Sequence, residues 1–314
     1  MKSIALVFLF CLPAFAASLS SSEYVEQCRA AGVIVPRGLS CADGEELPVS
    51  RNGARVTREN FESLAGDGQC DHPALVQRNS PRVGCMPEAR ALWWESKSDP
   101  TVCAMVCRRT DNSTAAGYFQ DISYICHNPQ NGATCFFNSK VEGRVHSGHK
   151  MPSPAEKNDL WMEPAELNVA TCTNCHDARP FVTTPNLGAF GKKLRARFET
   201  LSQGHYRVVG NALPFTNPVW KDRYVLAEAN RCTACHDIGA GRFGGCGHLR
   251  DTAVGQNSFM PAAARAIQQG WMPPKNHEPA ATKKDVERIR MCCTDFDSQG
   301  RRSNQPRCEW KLKD

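Results

Sequence analysis

Three things are scarce in this chain of 314 residues. Beyond its first 17 residues it has no apolar run approaching the roughly 18 to 20 residues that cross a bilayer, which excludes a membrane-spanning helix from the rest. It lacks a strong charge of one sign, with 38 Lys and Arg against 32 Asp and Glu. Charge therefore points to neither a nucleic-acid nor a membrane-surface partner. Long periodic segments are also few from about Ser18 to Gly148, where Gly, Pro, Asn and Asp are frequent instead. That stretch reads as loop-rich and too poor in apolar residues to hold itself together.

What is present begins with Met1-Lys2, an apolar run from Ile4 to Ala17 broken by Pro13, and a small-residue site at Ala14-Phe15-Ala16. Residues 1–17 are read as a secretory signal peptide removed on export. Cysteine is the abundant quantity, with 17 in all. Removing Cys11 with the signal leaves 16, a density expected in an oxidising compartment such as a bacterial periplasm or exterior. Four of these form two C-x-x-C-H motifs, eight precede the first motif and four follow the second. Both outer counts are even, as intramolecular disulfides require.

Short helices are predicted after Thr57, and after Pro87 through Arg90, Leu92 and Trp94. Ile122 to Ser139 reads as a β-hairpin around Asn128-Pro-Gln-Asn-Gly132, with Cys126 facing Cys135 and disulfide-bonded to it. Met151-Pro-Ser-Pro154 reads as a linker. Downstream the pattern turns helical. One helix runs from Thr184-Pro185 to Gly204 with an apolar stripe of Leu187, Phe190, Leu194, Phe198 and Leu201, and a second from Pro261 to Gly270. A last helix opens at Thr282 with a capping box to Asp285, putting Val286, Ile289 and Cys293 on one face. Cys292 and Cys293 are expected to pair with Cys246 and Cys308 rather than with each other.

The motifs Cys172-Thr-Asn-Cys175-His176 and Cys232-Thr-Ala-Cys235-His236 carry the chemistry. Residues three and four apart share a helix face, so two thiols reach the vinyl groups of a haem while the adjacent imidazole reaches its iron. His176 and His236 are thus the expected proximal ligands of two covalently bound haem c groups. Paired zinc-binding C-x-x-C motifs usually lie roughly 15 to 20 residues apart, with no obligatory histidine. Here they start 60 apart and each is followed at once by His.

Residues 165–295 resemble the cytochrome c family, and the mature chain is similar to secreted bacterial dihaem proteins with a cysteine-rich N-terminal region. The matching features are the two motifs, Gly270-Trp-Met-Pro-Pro274 and the closing helix from Lys283. The resemblance points to Met272 as the distal ligand of the second haem, with Met260, His248 and His277 as rivals. For the first haem the alternatives are His205, an upstream group of His146, His149, Met151 and Met162, or an open iron. Unequal ligation would separate the potentials of the two haems, since a thioether raises reduction potential relative to imidazole.

The expected fold is mainly α, a cytochrome c-like dihaem domain over 151–314 preceded by a disulfide-rich, loop-rich region over 18–150 with a small hairpin. The expected role is single-electron transfer between periplasmic redox partner proteins. A dihaem peroxidase with one open iron and a haem-based sensor or binding protein are the competing classes.

Overall fold

A computed structural model describes residues 19–71, 84–140, 146–149, 151–164, 166–167, 176, 180–181, 207–210, 224–227, 279–295 and 302–312. The signal peptide and the helices expected at 184–204 and 261–270 lie outside them. The described structure is mainly β, which corrects the expected mainly α fold. Its centre is a six-stranded sheet of β1 (Glu45–Glu46), β2 (Arg90–Glu95), β3 (Val102–Arg108), β4 (Asp121–His127), β5 (Ala133–Asn138) and β6 (Arg207–Val208). The strands lie in that spatial order. The first five are antiparallel neighbours, and β6 adds to β5 in parallel.

The reason for the correction is visible in β2. Arg90 and Trp94 suit one face of a helix, but Arg90, Leu92 and Trp94 suit one face of a strand equally well. Pairing with β3 decides the matter, because it sets Leu92 beside Met105 and Trp94 beside Cys103 in a common buried layer. The alternation in β3 to β5 is carried largely by cysteine. Cys103, Cys107, Cys126 and Cys135 are essentially inaccessible and behave as small apolar core residues.

One sheet face is covered by α1 (Ser21–Ala30). Ser20 caps this helix, accepting from the Glu23 N–H at 3.3 Å while the Glu23 carboxylate accepts from the Ser20 N–H at 2.8 Å. Tyr24, Val25 and Cys28 point into the core. There Tyr24 and Phe137 rings approach to 5.3 Å, and Phe137 and Trp161 to 6.4 Å. The Met151–Pro154 stretch packs onto this region. Trp161 Nε1 donates to the Pro152 carbonyl at 2.9 Å, and Met151 Sδ lies 3.1 Å from Cys41 Sγ.

The hairpin forms with the expected register, Cys126 opposite Cys135. Their expected disulfide does not form. Cys126 bonds Cys103 of β3, and Cys135 bonds Cys28 of α1. Register alone does not discriminate, since Cys103, Cys126 and Cys135 occupy one row of three adjacent strands. The helix above the row supplies the fourth thiol, and α1 was not anticipated. Cys41–Cys107 and Cys70–Cys85 complete the set, so all eight cysteines upstream of the first motif pair among themselves.

The short helix expected after Thr57 is α2 (Phe61–Leu64), which buries Phe61 in a satellite core with Val49, Val56 and Met86. The final helix, α3 (Pro279–Cys292), begins three residues before Thr282. Cys292 bonds Cys308, and Cys293 is also disulfide-bonded, so the two are not joined to each other. Beside them buried Asp295 accepts from the backbone N–H groups of Arg307 and Cys308 and from Trp310 Nε1, at 2.7, 3.0 and 2.8 Å.

Candidate functional site

The second face of the sheet holds the one motif residue that is described, His176. Strand alternation sends Val102, Ala104, Ile125 and Phe136 to this face, where Phe181 closes over them. The His176 ring lies 5.6 Å from that of Phe136. Phe181 meets Trp93 edge-on at 5.1 Å and His127 edge-on at 6.0 Å. His176 and Phe181 therefore meet this apolar face through aromatic contacts.

His127 belongs to the same surface and was overlooked in the sequence. It ends β4 opposite Thr134 and is 1% exposed. Its Nδ1 is 2.7 Å from Thr134 Oγ1, and that hydroxyl donates to the Gly132 carbonyl at 3.1 Å. Burial outweighs a backbone hydrogen bond at Ala133 and lowers its pKa to about 4, so the imidazole is neutral at physiological pH. The period of two puts His127 on the face of Ile125, but alternation alone does not separate it from a core residue.

Of the other expected site residues, Cys172, Cys175, Cys232, Cys235, His236 and Met272 lie outside the described residues. So do Met260, His205, His248 and His277. Met151 and Met162 pack on the opposite, α1-covered side of the sheet. His146 sits in a short strand paired with Tyr118–Phe119, its Nε2 3.3 Å from the Lys140 carbonyl oxygen. His149 lines a cleft with Phe119, Glu46, Glu88 and Arg90. Phe119 is part of the α1-side core, so the upstream group gathers away from Phe136 and His176.

The chemistry of this face fits covalently attached haem. A c-type haem needs an imidazole held at an apolar surface and two thiols not committed elsewhere. His176 meets the first condition. The five described disulfides draw on none of the four motif cysteines, and the partner of disulfide-bonded Cys293 lies outside the described residues. Among the described residues no group of three or more His, Cys, Asp and Glu is placed to hold a bare metal ion, and no helix is long and apolar enough to cross a membrane. No family model, curated protein or solved structure matches the chain.

Proposed function

We propose that the protein is an exported dihaem c-type cytochrome that passes single electrons between redox partner proteins in the periplasm or outside the cell. The observation that carries this reading is the packing of His176 on Phe136, within an apolar face closed by Phe181. Two further facts support it. The upstream cysteines are consumed in their own disulfides, and a chain rich in disulfides suits an oxidising compartment.

Bound haem supplies one-electron chemistry. The chain's part is to hold and shield it. Cys172 and Cys175 would anchor the first group and Cys232 and Cys235 the second, with His176 and His236 as proximal ligands. Val102, Ala104, Ile125 and Phe136 would give the first haem an apolar wall beside His176, which lowers the local dielectric.

Intact mass and a pyridine haemochrome assay of the exported protein test the reading. Two haems are expected, falling to one in Cys172→Ala/Cys175→Ala and to one in Cys232→Ala/Cys235→Ala. A protein exported without haem refutes the proposal. Turnover of peroxide at a high-spin haem would move the function to the peroxidase class.

A further inference from the structure

We infer that the cleft lined by Glu46, Glu88 and Arg90 binds a small zwitterion of the α-amino acid class, its carboxylate on Arg90 and its ammonium on the two glutamates. The cleft lies on the α1 side of the sheet and stands apart from the haem reading. Two charges there fail to meet. Glu46 of β1 and Arg90 of β2 are register partners. Opposite charges so placed have Cβ atoms roughly 5 Å apart and ordinarily attract each other. Here they turn aside. Glu46 accepts from Arg55 at 2.6 Å, while Arg90 Nη1 donates to the Ala42 and Gly44 carbonyls at 2.9 and 2.8 Å. Both side chains instead line a cleft of about 300 Å³ with Glu88, Ala116, Phe119 and His149.

Arg90 is a cation without a counter-ion. Among the described residues it makes no ion pair, and its Nε–H and Nη2–H groups have no acceptor. Those groups form the side edge of the guanidinium, two parallel donors that match the two oxygens of a carboxylate. Because Nη1 is fixed by two backbone carbonyls, the edge is in place before a ligand arrives. The glutamates are only half used. Glu88 meets Arg109 and Arg58 through Oε2, and Glu46 meets Arg55 through Oε1. Among the described residues Glu88 Oε1 and Glu46 Oε2 have no hydrogen-bond partner. Glu88 is also held in a left-handed backbone, φ 64°, which a residue with a side chain adopts only at a cost. A ligand carrying one carboxylate and one nearby ammonium answers all three residues at once. Phosphate would meet two carboxylates of its own sign, and a bare cation would meet Arg90. The volume is at the small end for ligand cavities, which suits an amino acid.

The test is isothermal titration calorimetry of the exported full-length protein against a panel of the standard amino acids, with propionate, ethylamine and inorganic phosphate as probes of each charge alone. At least one small amino acid should bind at a single site with Kd below about 1 mM, and about tenfold or more tighter than any of the three single-charge probes. Arg90→Lys keeps the charge but loses the two-donor edge, and should weaken that binding by about tenfold or more. Glu46→Gln, at an exposed side chain, should weaken it by about tenfold and leave propionate binding no weaker. Ala116→Leu, also exposed, should fill the cleft and abolish binding with every charge intact, and it decides the matter if Arg90→Lys fails to fold. No amino acid binding below about 1 mM overturns the inference, as does binding that survives Ala116→Leu. Propionate or phosphate that binds as tightly as every amino acid, with Glu46→Gln silent, overturns the zwitterion and leaves a simple anion in its place.

Discussion

Replacing Cys28 and Cys135 together by alanine cuts the covalent tie between α1 and the sheet, and the cost can be worked from the chain path. The two residues are 107 apart in sequence. An isolated loop of that size would confine the unfolded chain by about 4.7 kcal/mol. Cys41–Cys107 and Cys103–Cys126 already short-circuit most of it, leaving a shortest path of about 30 residues and an entropic contribution of about 3.5 kcal/mol. Both sulfurs are fully buried beside Tyr24 and Phe137, and the space they vacate adds roughly 1 kcal/mol. The total, about 4 to 5 kcal/mol, corresponds to a melting shift of roughly 10 to 20 °C for a region of this size. Denaturant unfolding of the full-length protein, followed by circular dichroism, measures it. A loss below about 1 kcal/mol with an unchanged denaturant slope would refute the loop-entropy reasoning.

Non-reducing peptide mapping should recover Cys103 with Cys126 and Cys28 with Cys135, and no peptide joining Cys126 to Cys135. Arg109 is fully buried, donates to Glu88 at 2.6 Å and reaches the carbonyls of Asp111, Asn112 and Thr114. Arg109→Met should cost about 3 kcal/mol in urea unfolding, because the Glu88 carboxylate and three acceptors lose their donor together. Asp295→Asn should destabilise the C-terminal segment by about 2 kcal/mol, since an amide oxygen is a weaker acceptor for its three N–H donors. For His127 the folded pKa of about 4 lies below the unfolded value near 6.5. The unfolded chain therefore binds the proton first, and stability is full above pH 6.5 and falls as pH drops toward 4. The loss should approach about 3 kcal/mol and be missing from His127→Gln in unfolding experiments across that window.

The hairpin, its register and the helix after Thr57 were legible because turn residues and alternation are local signals. The larger sheet was not, because its evidence is distributed over chains of pairing that the local pattern does not record. Arg90 and Trp94 have the spacing of a helix, Arg90, Leu92 and Trp94 that of a strand, and only β3 beside them decides. Cysteine misled in a related way. Cys103, Cys126 and Cys135 were counted as staples, whereas they are also the apolar rungs of three strands, and their pairing depends on a helix more than 70 residues upstream of β3. The motif histidine at 176 was plain from its spacing. His127 was not, because nothing within the sequence of β4 marks one buried histidine as different from a core residue until Thr134 and Phe181 stand beside it.

The sheet ends in a strand drawn from the interval between the two motifs. Residues 207–208 follow His176 and precede Cys232, yet they complete the edge of β5. A chain synthesised amino end first presents β5 long before β6 is available. In that interval the N–H and C=O groups along the outer side of β5 are an open template for another strand. Maturation of the disulfide-bonded half is thus not finished when its own last cysteine has been made. It waits for about 70 further residues, including the first C-x-x-C-H site, so a product truncated ahead of residue 207 carries all eight upstream cysteines and still exposes an adhesive edge.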